Sequence, residues 1–254
     1  MSETPPLILL PGWAYDGGVW QSLVRDLEGI ATNSLAIPVD DNVDRVCEQL
    51  AAQIKRPSVL CGWSLGGMLA VRIAAHYPEK VIGVITLASN VRFVANHDWP
   101  YAISKQTFTA FYDLFKRNAQ QALTRFSGLV TLGDQHANVQ RQWLRSFIIN
   151  VTNDVGAAER LLFGLDLLAT LNNDRVYQNI TCPARFFFGE KDSLVPVKAA
   201  SMLQSRLSHA QEICVLPNAG HLLHYPDRDT EHSIIMHIQQ FMHALNLAHQ
   251  EHVV

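Results

Sequence analysis

Cysteine is scarce in this chain: Cys47, Cys61, Cys182 and Cys214 are the only four in 254 residues, and no two form a Cys-x-x-Cys pair. Such spacing suggests neither a zinc ribbon nor a disulfide scaffold, and it fits a reducing compartment. No run of about 18 apolar residues offers a membrane-crossing helix. The start, Met1 to Pro6, has no basic cluster and no apolar stretch, so a secretory leader is not expected. Basic charge is not in excess either: 20 Lys and Arg against 23 Asp and Glu leave a net charge of −3, which argues against a general nucleic-acid binder. There is no Gly-x-Gly-x-x-Gly fingerprint and no His-Glu-x-x-His pair, the marks of dinucleotide and zinc chemistry. The expectation is a cytoplasmic monomer without metal, cofactor, membrane or nucleic-acid partner.

Apolar material, by contrast, is plentiful: 48% of residues are hydrophobic and 17% charged, enough for a sizeable core. Short apolar runs recur at Leu7–Leu10, Ser34–Ile37, Val59–Cys61, Val81–Leu87, Ala184–Phe188 and Gln211–Leu216. Between them lie segments of helical period, Val43–Lys55 and Met68–His76, the second stopped by Tyr77-Pro78. Strand, helix, strand in series predicts a mostly parallel sheet covered by helices on both faces. From about Asn96 to Tyr177 the rhythm breaks into helical stretches, among them Lys105–Leu132 and Asn138–Ile149, read as an inserted lid. The organisation expected is a core from residues 1–95 and 178–254 with a cap from 96–177, closed by one amphipathic helix over Thr230–Ala248.

The sharpest chemical signal is Gly62-Trp63-Ser64-Leu65-Gly66-Gly67, placed between a strand and a helix. A serine on a tight strand-to-helix turn needs small neighbours, and the turn lifts its hydroxyl above the carboxyl edge of the sheet. Ser64 is therefore the candidate nucleophile, and Leu65 N–H, at the start of a helix, the first oxyanion donor. A hydroxyl needs a base, and the base a carboxylate. Asp192 follows the strand at Ala184–Phe188, with Glu190 in reserve, and His221 follows the strand at Gln211–Leu216. The order Ser64, Asp192, His221 is the one α/β-hydrolases use. Trp13, after the first strand, supplies the candidate second oxyanion N–H. Trp13, Trp63, Phe93, Trp99 and Phe126 are equally readable as pocket walls or as core.

Seven of the eleven histidines lie after residue 220. Their spacing does not line one helix face, and most are expected to be solvated surface residues. Between Lys105 and Arg145 six basic residues face two acids, Asp113 and Asp134, a local net charge of +4. Arg141 and Arg145 share a helical face suited to carboxylate or phosphate, although a solvated charged face is the plain alternative.

Leu7-Ile8-Leu9-Leu10-Pro11-Gly12-Trp13, Gly62 to Ala70, Leu87-Ala88-Ser89-Asn90 with Asp98-Trp99-Pro100, Phe188-Gly189-x-x-Asp192 and Gly220-His221 together resemble the BioH family over nearly the whole chain. These are pimeloyl-acyl carrier protein methyl ester esterases of biotin synthesis, on the α/β-hydrolase fold. The resemblance implies a Ser64, Asp192, His221 triad and oxyanion and substrate contacts at Trp13 and Leu65. It implies an acyl pocket lined by Phe126, Ser127, Gly128, Leu129 and Val130. Arg125, Arg141 and Arg145 fall where the family's lid meets acyl carrier protein, one basic position being Gln121 here. The chain departs from its relatives in three places. The antiparallel hairpin that many relatives place ahead of their first strand is expected to be absent or reduced before Leu7, which predicts a smaller sheet; Pro11-Gly12 replaces the common His-Gly; and Pro38-Val39-Asp40-Asp41-Asn42 replaces a glycine-containing loop. A general carboxylesterase of short acyl esters is the nearest alternative. A ligand receptor on the same fold is a rival of another class, and an aspartate-nucleophile dehalogenase or epoxide hydrolase is disfavoured by Ser64.

Overall fold

The computed structural model describes residues 4–150, 154, 156–208, 210–226 and 233–251. Six parallel strands form one sheet in the order β2-β1-β3-β4-β5-β6: β1 (Leu7–Leu10), β2 (Thr32–Ser34), β3 (Ser58–Trp63), β4 (Val81–Leu87), β5 (Ala184–Gly189) and β6 (Gln211–Leu216). Helices α1 (Gln21–Asp26), α2 (Val43–Gln53), α3 (Leu65–His76), α8 (Lys198–Gln204) and α9 (Ile234–Glu251) accompany the strands. The segment between β4 and β5 contributes α4 (Lys105–Arg117), α5 (Ala119–Thr131), α6 (Ala137–Leu144) and α7 (Ala157–Thr170). This is the α/β-hydrolase fold with an inserted helical region. Among the described residues no helix is long and apolar enough to cross a membrane.

The inner strands β1, β3 and β4 are almost wholly buried, as strands covered on both faces must be, which is why they read as unbroken apolar runs rather than as alternation. Trp20, Trp63, Trp99, Phe115, Tyr177 and Phe186 to Phe188 are the largest fully buried side chains. From β1 the chain steps to β2 on one side and then returns to β3 on the other. The carboxyl ends of β1 and β3 therefore flank the switch in strand order, where open α/β sheets form their crevice.

Several boundaries differ from the sequence reading. The second strand is Thr32–Ser34, not Ser34–Ile37, because pairing with β1 ends at Leu9 opposite Ser34, and the apolar Leu35–Ile37 runs on past the sheet edge. The long helix expected over Lys105–Leu132 is two helices. Asn118 leaves helical backbone at φ −156°, ends α4, and caps α5 by accepting the Gln121 N–H at 2.9 Å. The helix expected to reach Ile149 stops at Leu144, since Ile148 bridges to Tyr15 and the Ile149 N–H donates to the Ala14 carbonyl at 2.9 Å. Helix α3 starts three residues before Met68, as Ser64 O accepts from the N–H groups of Gly67 and Met68. The expected start of the last helix, at Thr230, lies outside the described residues.

Candidate active site

Ser64 sits between β3 and α3 with φ 54° and ψ −117°. A side-chain-bearing residue holds such angles only where its surroundings over-determine them. Two close approaches account for the flanking glycines. A Cβ on Gly62 would lie 2.3 Å from the Gly66 carbonyl oxygen, and one on Gly66 would lie 2.2 Å from that of Leu10. The turn is held from below as well: Ser64 N–H donates to Leu87 O at 2.9 Å, and Ser89 Oγ donates to Ser64 O at 2.9 Å. Leu65 is the first residue of α3, so its N–H is among those that lack an intrahelical acceptor.

The loops after β5 and β6 bring the other two predicted residues together. Asp192 Oδ2 accepts from His221 Nδ1 at 2.8 Å, with both side chains fully buried. The other oxygen, Oδ1, accepts the N–H groups of Leu194 and Val195 at 2.8 and 2.9 Å. A carboxylate fixed this way orients the imidazole and sets its tautomer, leaving Nε2 free to take a proton. That Nε2 is buried and makes no hydrogen bond among the described residues. Glu190, the reserve carboxylate, faces elsewhere. It accepts the Asn218 N–H at 3.0 Å and lies 3.6 Å from Lys191 Nζ, and these partners lower its pKa, the Asn218 N–H most.

Trp13 is buried, its indole N–H donating to Leu161 O at 2.8 Å. Its ring meets Phe111, Phe115 and Phe126 edge-on, with centroids 4.8 to 5.8 Å apart. With Phe93, Phe111, Phe126, Leu129, Leu165 and Leu194 it lines a narrow apolar cavity of about 40 Å³. Of the five residues expected to line an acyl pocket, only Phe126 and Leu129, three apart on α5, reach this cavity. Ser127 faces a second cavity of about 370 Å³ on the other side of α5, with Gln120, Thr124, Arg141 and Arg145. Gly128 and Val130 line neither cavity. Arg125 is exposed and lies outside the second cavity's lining.

Two features were not legible as site residues in the sequence. Ser89-Asn90 proves to be structural support. Ser89 braces Ser64, while Asn90 Oδ1 accepts from Trp99 Nε1 at 2.9 Å and its amide donates to Tyr101 O at 2.8 Å, fixing the path into the inserted helices. The expectation of solvated histidines fails at His224, which is buried against Trp20 and Trp63, with ring centroids 4.4 and 4.9 Å away. His237 is half-buried against Phe187, His243 is exposed, and His232, His249 and His252 lie outside the residues whose side chains are described. Among the described residues no three His, Cys, Asp or Glu gather into a potential metal site.

A family model described as the alpha/beta hydrolase fold matches residues 39–227. The pimeloyl-acyl-carrier-protein methyl ester esterase of Xylella fastidiosa is 35% identical over 231 residues, covering 85% of this chain and 88% of that protein. Its counterpart in Nitrosomonas europaea is 30% identical over 235 residues, covering 88% and 92%. The biotin biosynthesis bifunctional protein BioHC of Cellvibrio japonicus is 32% identical over 96% of this chain, which spans about half of that longer relative (49%). Among solved structures, the esterase EaEST from Exiguobacterium antarcticum superposes with a TM-score of 0.80 over 95% of this chain and 93% of its own at 15% identity, a likeness of fold. With relatives at this identity aligned along nearly their full length, the chain belongs to the α/β hydrolases and, within them, to the BioH family of esterases.

Proposed function

We propose that this esterase hydrolyses the methyl ester at the far end of a pimeloyl chain carried on acyl carrier protein, releasing methanol, in biotin synthesis. Residues 1–95 and 178–254 act as the catalytic core and 96–177 as the cap. Ser64 Oγ attacks the ester carbonyl while His221 Nε2 takes its proton, and Asp192 stabilises the imidazolium. The oxyanion rests on the N–H groups of Leu65 and Trp13. Methanol departs with the proton from His221; water then repeats the sequence on the acyl-enzyme and frees the acid.

The substrate carries a thioester as well as the methyl ester, so selectivity is a matter of reach. The observation that carries this reading is the placement of two unlike cavities on opposite sides of α5. One, aromatic and apolar, is lined by Phe126 and Leu129; the other is lined by Arg141 and Arg145. Basic side chains at the second suit an acidic carrier and its phosphate-bearing arm, while the first suits methylenes next to the reacting ester. The names of the relatives support the same substrate.

The test is a paired assay of the wild-type chain and Ser64→Ala on the carrier-bound methyl ester and on free p-nitrophenyl esters. Far higher kcat/KM on the carrier ester, lost in Ser64→Ala, is the expected result. Turnover of the small esters alone would leave a general carboxylesterase. Wild-type turnover by Ser64→Ala would remove the serine mechanism.

A further inference from the structure

The turn between α5 and α6 touches both strand-end loops of the site. Asp134, counted in the sequence merely as one of two lid acids, is buried. Its Oδ2 accepts the Gly220 N–H at 2.8 Å, immediately before His221, and its Oδ1 accepts the His136 N–H at 2.8 Å. One residue earlier, Gly133 adopts φ 86° and passes so near the acid loop that a Cβ there would lie 2.4 Å from the carbonyl oxygen of Lys191, the residue before Asp192. Ser193, the residue after it, donates from Oγ to Leu129 O of α5 at 3.0 Å. The two loops are tied to each other by the Lys191 N–H on Ala219 O at 2.8 Å.

We propose that Asp134 is a positioning residue for His221. The proposal rests on the triad reading above. His221 is held on three sides: its Nδ1 by Asp192, its carbonyl by the indole N–H of Trp63 at 3.0 Å, and the N–H of the preceding Gly220 by Asp134. The first two contacts set the ring's tilt and the peptide after it; only Asp134 among these three fixes the peptide ahead of it. A hydrogen bond to a buried carboxylate is shorter and stronger than one to a neutral acceptor, so the peptide plane is firmly set. Since misplacement of a reacting group by about 1 Å can cost about a hundredfold in rate, releasing that peptide should be felt at Nε2. The inserted helices then do more than wall the pocket: they complete the seat of the base.

A merely local role is available to Asp134, as the acceptor that shapes its own turn into α6. Two variants separate the roles. In Asp134→Ser the hydroxyl can still serve His136 N–H within the turn but is too short to reach Gly220. In Asp134→Asn only one amide oxygen remains for two N–H donors. On a short p-nitrophenyl ester, assayed well below the melting temperature, the Ser variant should lose about 10- to 100-fold in kcat with KM within about twofold, and the Asn variant should fall between it and the wild type. Labelling of Ser64 by a small phosphonate, which also needs the base, should slow in step. A lower Tm with unchanged kcat and labelling rate would overturn the proposal, leaving Asp134 a structural residue. The wild-type chain offers a check that needs no variant: the Gly220 amide should exchange with deuterium as slowly as the core strands, and fast exchange there would also overturn it. Failure of the triad reading has a different signature, wild-type turnover by Ser64→Ala.

Discussion

The indole N–H of Trp63, beside Ser64, donates to the carbonyl oxygen of His221 at 3.0 Å, joining residues 158 apart in the chain. The ring also packs over the imidazole with centroids 5.7 Å apart and lies under Gly12, where a Cβ would meet it at 2.9 Å. Trp63→Phe removes this donor and part of the packing. The variant should fold with about 2 kcal/mol less stability by urea denaturation and lose about tenfold in kcat on any ester. Full activity in a correctly folded variant would contradict a role for this contact in seating the base.

Asp192→Asn keeps the volume of the carboxylate but presents the imidazole with the wrong hydrogen-bonding partner. By the logic of serine hydrolases, kcat should fall by about 10³- to 10⁴-fold while the circular dichroism spectrum is unchanged. Glu190→Gln, on the far side of the loop, should leave kcat on small esters within about twofold. Reversed ranks in the same assay would reassign the acid.

Gly62→Ala brings a methyl group to 2.3 Å from the Gly66 carbonyl oxygen, a backbone atom that cannot yield without moving α3. The expected result is an insoluble or strongly destabilised chain, with a loss of more than about 3 kcal/mol. A soluble variant with a wild-type denaturation midpoint would show that the turn is looser than its geometry implies.

Charge reversal, Arg141→Glu with Arg145→Glu, should raise KM for the carrier-bound ester by about tenfold or more and leave p-nitrophenyl esters nearly untouched. For the wild type, added salt should weaken the carrier reaction selectively, since screening shortens the reach of exposed charges. Equal losses on both substrates would remove the docking role from these arginines.

Burial raises the thiol pKa of Cys182 to about 11 and that of Cys47 to about 12, from an ordinary 9.0. The unfolded chain therefore ionises these thiols first. Stability from keeping them neutral is complete below pH 9 and is lost as pH rises through 11 and 12. The melting temperature should accordingly fall across that window, less steeply when both are replaced by alanine. A flat profile from pH 9 to 11 would count against their burial.

What could be read from the chain, and what could not, follows from where each signal resides. Ser64 was legible because its chemistry and part of its backbone demand fall on one short stretch: Gly62 is needed by a contact with Gly66, inside the motif itself, whereas the contact that demands Gly66 comes from Leu10 on the neighbouring strand β1. Asp192 and His221 were found because each follows an apolar run by a few residues, and strand ends converge at one edge of a parallel sheet. The break at Asn118 was missed because helical periodicity continues across it, whereas the cap is a single side-chain bond. The end of α6 was missed because Ile148 and Ile149 leave the helix to meet Tyr15 and Ala14, a partner distant in sequence. Asp134 looked like surface charge for the same reason: its partner is 86 residues away.

Because the α5–α6 turn is fastened to the loops of both Asp192 and His221, the inserted helices are a poor unit for exchange between hydrolases. A graft cut at the ends of β4 and β5 would import a cap whose turn lacks a matching carboxylate and glycine, and the host's histidine loop would be left slack. Such hybrids should fold and bind yet turn over slowly, and recovering them calls for transplanting the two strand-end loops along with the helices. In this protein, new substrate preference is more readily reached by altering side chains on α4 and α5 that face the apolar cavity than by trading the whole insertion.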